Sequence, residues 1–178
     1  MQIAKAVNKL NPHPPLVGVF ANTPVGEVNR IARTCQLDWV QLSGHESWDY
    51  CRDIEWPIIK AAHVMVGQTA AAVLDEIEAG YRLLSKARLI CLLDSAVGGA
   101  YGGTGQTFNW QVAREVTARF SVIVAGGLTP ANVGQLVKEA HPWGVDVSSG
   151  VETNGRKDNT KIRAFIEAVR KLDRSKRD

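Results

Sequence analysis

Between residues 16 and 150, short unbroken runs of Val, Ile and Leu alternate with longer stretches whose apolar residues recur every three or four positions. The runs are LVGVF (16 to 20), WVQLS (39 to 43), PIIKAAHV (57 to 64), RLICLLD (88 to 94), SVIVAGG (121 to 127) and GVDVSSG (144 to 150). A strand with one wet face alternates apolar and polar residues. A run that is apolar throughout is buried on both faces, as in a parallel sheet flanked by helices. Helical spacing fills the gaps near 24 to 35, 47 to 53, 69 to 84, 109 to 119 and 131 to 140, then 159 to 172, and also the opening MQIAKAVNKL. Thr23, Thr129 and Asn159 are the expected N-caps. Successive strands start roughly 25 residues apart, the stride of βα units. The expected class is therefore α/β with six strands, in one domain over residues 1 to 178. Eight βα units need roughly 200 residues or more. An open doubly wound sheet and a closed barrel that lacks its beginning both remain compatible with the pattern.

Charge and cysteine content narrow the function. The formal charge is +3, and much of the excess sits in the closing KLDRSKRD. No basic face interleaved with aromatics emerges, so nucleic acid is a poor partner and a small anionic ligand a better one. Cys35, Cys51 and Cys91 are scattered, without the spacing of a disulfide framework or a zinc site. Scattered single thiols suit a reducing cytoplasm, and no stretch approaches the length of a membrane span.

In both candidate architectures ligands bind beyond the carboxyl ends of the strands. Asp94, Gly126, Gly127, Ser148, Ser149 and Gly150 all fall there. AGGLTPANV places two glycines and a Thr-Pro helix start directly after a strand, so backbone N–H groups can face an anion. SSG after the final strand repeats the arrangement with two hydroxyls. The two loops follow consecutive strands, which favours a phosphate site over simple tight turns. Asp94 closes an apolar run, where burial raises a carboxyl toward the range of a general acid. Cys91 points to the other face and reads as core. Asp146 either contacts a ligand or holds a neighbouring loop.

YGGTGQTFNW, with Gly102 and Gly103, has neither the lysine of a P-loop nor GxGxxG spacing, and reads as a lid over the site. Lys60 has no charged residue beside it to support Schiff-base chemistry, so an ion pair or a rim contact is expected. His13, His45, His63 and His141 form no metal-ligand pattern and are expected on the surface or in loops.

Taken in order, VGVFANTP, DWVQLSG, LLDSAVGGAYGGTGQTFNW, AGGLTPANV, GVDVSSGVE and KIRAFIEAVR closely resemble the phosphoribosylanthranilate isomerases of tryptophan biosynthesis, from residue 16 to about 172. The resemblance implies a (β/α)8 TIM barrel, no cofactor and no metal. It also implies an Amadori rearrangement of a phosphoribosyl substrate, with Asp94 as general acid and Gly126, Gly127, Ser148, Ser149 and Gly150 in the phosphate loops. In that family the base is a cysteine in a Lys-Ile-Cys-Gly type segment, and an arginine after the second strand meets the anthranilate carboxylate. Neither segment occurs in this chain, and Ser43 stands where the family usually has histidine. On this alignment the first βα unit and the second strand are missing. The expectation is then an incomplete barrel of about six strands, closed by homo-oligomerisation or by distortion of the sheet. The competing readings are a non-catalytic phosphosugar-binding remnant and another phosphosugar enzyme such as a ribulose-phosphate epimerase. The latter class wants metal ligands that the sequence pattern does not supply.

Overall fold

A computed structural model describes residues 2–97, 100–101 and 109–174. Helix α1 (Gln2–Val7) precedes β1 (Val17–Phe20), after which helix and strand alternate: α2 (Val25–Cys35), β2 (Trp39–Leu42), α3 (Trp48–Arg52), β3 (Ile58–Met65), α4 (Ala70–Leu83) and β4 (Leu89–Val97). A two-residue strand β5 (Ala100–Tyr101) turns back antiparallel on β4. There follow α5 (Trp110–Thr117), β6 (Val122–Val124), α6 (Val133–Ala140), β7 (Gly144–Val145), a 3₁₀ turn (Ser149–Val151), the hairpin β8 (Glu152–Thr153) with β9 (Arg156–Lys157), and α7 (Asn159–Arg174). The main sheet runs β1-β2-β3-β4-β6-β7, and the pairs β1/β2, β2/β3 and β6/β7 are parallel. Six principal strands in an α/β succession match the expected class.

Two compact units divide the chain. The first comprises residues up to Ala61 together with Glu76–Cys91. It buries Val28 and Ala32 of α2, Val40 and Leu42 of β2, and Ile58 and Ile77. The second comprises Ala62–Asp75 and the chain from Leu92 onward. Its core includes Leu93, Val122 and Val124 from strands and Val116, Leu136 and Phe165 from helices. Strand β3 is buried at five successive positions, 58 to 62, as a strand covered on both faces requires, whereas β2 and β6 alternate between buried and half-buried residues and β1 buries only Phe20.

The helix starts depart from expectation. Pro24, not Thr23, precedes α2, with no side-chain cap; its carbonyl accepts from the N–H groups of Glu27 and Val28. Proline supplies a helix-compatible φ there and needs no donor. Thr129 does not cap α6 either, because a preceding turn moves the start to Val133, with Asn132 at the cap position. Asn159 lies inside α7. Asp158 caps it, one Oδ1 accepting from the N–H groups of Thr160 and Lys161.

The last expected strand is short. Only Gly144 and Val145 pair as strand, and Ser149–Val151 fold back as the 3₁₀ turn. The β8/β9 hairpin was not anticipated. Its Asn154 and Gly155 both take positive φ (52 and 71), the requirement of a type I′ turn, so the Asn-Gly pair carried the signal.

Candidate active site

Register determines which side chains share a face. Ile58 N–H donates to the Arg88 carbonyl at 2.7 Å, which in a parallel pair sets Ile58 level with Leu89. Counting on along both strands, 58 to 63 and 89 to 94, brings His63 level with Asp94. Ala125 N–H donates to the Leu93 carbonyl at 2.8 Å and Asp146 N–H to the Val124 carbonyl at 2.9 Å, so Asp94, Ala125 and Asp146 are also level. Parallel-strand neighbours at one level point to one side. His63, Asp94 and Asp146 thus stand in one row, toward the carboxyl ends of β3, β4, β6 and β7. The other side of these strands carries the buried Leu93, Val122 and Val124.

Asp94 is half-buried in this row. Burial pushes its carboxyl up, the charge of His63 and the backbone N–H of Ser95 pull it down, and Asp146 pushes it up again. Asp146 keeps one side open to solvent while protein atoms crowd the rest. Its carboxyl too is raised by burial, against the backbone N–H of Val147 and the Lys157 ammonium. Two acids biased toward their protonated forms at the mouth of a sheet suit proton donation and hydroxyl binding.

The two glycine loops meet beside this row. Gly126 and Gly127 take φ of 82 and 63. A Cβ on Gly126 would lie 2.5 Å from Ser95 Oγ, so only glycine lets the loop turn over β4. Asn132 clamps the turn: its Oδ1 accepts from Thr129 N–H at 2.7 Å and its Nδ2 donates to the Gly127 carbonyl at 3.0 Å. A Cβ on Gly150 would lie 1.7 Å from the Leu128 carbonyl oxygen, which shows how closely the Ser148–Gly150 loop is laid on the Gly126–Leu128 loop. Lys157 ties down the second loop, donating to the Ser148 carbonyl at 2.9 Å, to Ser148 Oγ at 3.3 Å and to Glu152 Oε1 at 2.7 Å. Ser149 is half-buried in the 3₁₀ turn and Ser148 exposed.

Of the residues singled out in the sequence, Asp94, Gly126, Gly127, Asp146, Ser148, Ser149 and Gly150 are therefore collected in the second unit. Gly102 and Gly103 lie outside the described residues. Lys60 is buried in the first unit, where its Nζ donates to the carbonyls of Gly44 (3.3 Å) and Ala61 (3.0 Å) and stands 3.6 Å from Glu46 Oε2. Of the two expectations for Lys60, an ion pair or a rim contact, the structure shows the ion pair; its partner Glu46, distant in sequence, was not foreseen. Cys91 is core, as expected, and burial pushes its thiol up to about 12. His63 corrects the expectation of a surface or loop histidine: it is half-buried on β3, in the row with Asp94. Its signal was its place near the carboxyl end of a largely apolar strand. Lys157 was also missed, since nothing local shows that a hairpin returns it to Ser148.

Comparison with known proteins places the sequence and the fold in one family. A family model described as N-(5'phosphoribosyl)anthranilate (PRA) isomerase matches residues 1–168. An N-(5'-phosphoribosyl)anthranilate isomerase from Dehalococcoides mccartyi is 51% identical over 173 residues, covering 97% of this chain and 78% of the relative. The crystal structure of phosphoribosyl anthranilate isomerase from Thermotoga maritima superposes with a TM-score of 0.78 at 30% identity, over 94% of this chain and 78% of that one. A structure of the enzyme in complex with reduced 1-(o-carboxyphenylamino)-1-deoxyribulose 5-phosphate gives 0.75 at 29% identity, over 94% and 77%. By its strand order, its paired glycine loops and these likenesses, the chain belongs to the N-(5'-phosphoribosyl)anthranilate isomerase family.

Proposed function

We propose that this chain catalyses the Amadori rearrangement of N-(5′-phosphoribosyl)anthranilate to 1-(2-carboxyphenylamino)-1-deoxyribulose 5-phosphate, a step of tryptophan biosynthesis, with Asp94 as general acid. The observation that carries the reading is a half-buried carboxyl, raised by burial, standing beside two interlocked glycine loops. Asp94 gives its proton to the furanose ring oxygen, the C1–O bond breaks, and the nitrogen lone pair forms the C1=N iminium. Loss of the C2 proton then returns that electron pair to nitrogen as an enaminol, which tautomerises to the ketose. Gly126, Gly127, Ser148, Ser149 and Gly150 take the phosphate, Asp146 takes a sugar hydroxyl, and Gly102 and Gly103 serve substrate binding. Backbone donors around a phosphate and a tuned acid at its other end are the parts such chemistry needs. Three free thiols accord with a cytoplasmic location. Among the described residues no helix is long and apolar enough to cross a membrane.

A second reading, phosphosugar binding without turnover, is favoured by the buried cysteines. Burial pushes the Cys51 thiol to about 11 and the Cys91 thiol to about 12, so neither offers a thiolate base at neutral pH. Fluorescence-monitored consumption of phosphoribosylanthranilate separates the two. Turnover that falls by about 10²-fold or more in Asp94→Asn supports the isomerase. Ligand binding without turnover in the unsubstituted chain establishes the binder.

A further inference from the structure

His63 faces Asp94 from the neighbouring strand. The two are level in the β3/β4 register, on one side of the sheet, and close enough for the histidine's charge to act on the carboxyl. The rest of the surroundings work against a carboxylate at that position. Protein atoms crowd it, and Asp146, level with it across Ala125, adds a like charge from the other side. Among the described residues, the groups that favour the ionised form are His63, through charge, and the Ser95 backbone N–H. Lys157, which acts on Asp146, is engaged with Ser148 and Glu152.

A general acid becomes its conjugate base as the transition state forms, so a group that stabilises that base acts where it lowers the barrier. Without such a group, a crowded carboxyl next to a second carboxylate holds its proton too firmly to give it to a weakly basic ether oxygen. We propose that His63 is a positioning residue for the general acid: from β3 its imidazolium stabilises the carboxylate that Asp94 becomes on giving up its proton. The proposal rests on Asp94 as the acid and adds a second residue to that step.

The test reads the Asp94 carboxyl directly. In the full chain labelled with carbon-13, the Asp94 carboxyl signal is identified by its loss in Asp94→Asn and followed against pH. In His63→Gln, similar in size and without charge, its midpoint moves to higher pH by about one unit. In His63→Lys, a cation at every pH used, it returns to or below the unsubstituted value. An unchanged midpoint in His63→Gln overturns the proposal, as does a rise in both variants. Kinetics give a second readout. The alkaline limb of the kcat profile moves up in pH in His63→Gln while kcat falls, whereas a uniform fall with an unmoved limb marks a merely structural role. If the unsubstituted chain shows no turnover, the isomerase reading fails, and the carboxyl titration still decides the electrostatic claim about His63.

Discussion

Lys60 and Glu46 are both withdrawn from water, their side chains 7% and 1% exposed, with Nζ and Oε2 3.6 Å apart. Charges so placed persist because most of the groups around them are engaged, although Glu46 Oε2 accepts no hydrogen bond among the described residues and faces the Lys60 ammonium at 3.6 Å. Lys60 also meets two carbonyls, and Glu46 Oε1 accepts the Asn22 N–H at 2.7 Å. Removing one partner strands the other, which costs about 3 to 5 kcal/mol, whereas removing both leaves an apolar site with much less to lose. Lys60→Met and Glu46→Leu are each expected to destabilise strongly, and the double variant less than the sum of the two. Urea denaturation of the four proteins measures this, and strict additivity would show that the pair is not coupled.

At the scale of elements, α7 depends on a residue outside it. Asp158 accepts from the first backbone N–H groups of the helix and from the Thr153 hydroxyl, and these bonds hold its carboxyl below the usual range. A depressed carboxyl contributes stability that is present above its unfolded pKa and lost as pH falls through the folded one. Asp158→Ala should therefore lower the Tm at pH 7, and the gap to the unsubstituted protein should close as pH drops below about 4. A gap of equal size at pH 3 would mean that the helix does not need the charge. The capping residue was misplaced by one position in the sequence reading, because Asn159 and Asp158 are equally able caps and only the backbone path after the hairpin chooses between them. The same loop ambiguity hid β8 and β9, whose two-residue strands are too short to show periodicity. The longer strands and helices were legible because burial on both faces writes itself into unbroken apolar runs.

At the scale of the whole molecule, β1 and β7 end the strand order among the described residues. β1 exposes Val17 (37%) and Val19 (64%), apolar side chains of the kind that strand edges ordinarily guard with charge. This supports the proposal of a homo-oligomer. Val19→Lys should reduce the mass seen by size-exclusion chromatography with light scattering. An unchanged mass would place any association elsewhere.

The sequence by itself determined the α/β class, the six principal strands and the loops that carry the candidate site. Each of these is encoded locally, in apolar runs, glycines and caps within a few residues of one another. Gly126, Gly127 and Gly150 were legible as a turn chemistry, although the carbonyl against which Gly150 packs was not. The tertiary structure alone decided that His63 stands level with Asp94, that Glu46 reaches Lys60 and that Lys157 holds Ser148. These pairings follow from strand register and chain return. Parallel register is set by packing between segments far apart in the chain, so no local pattern records it.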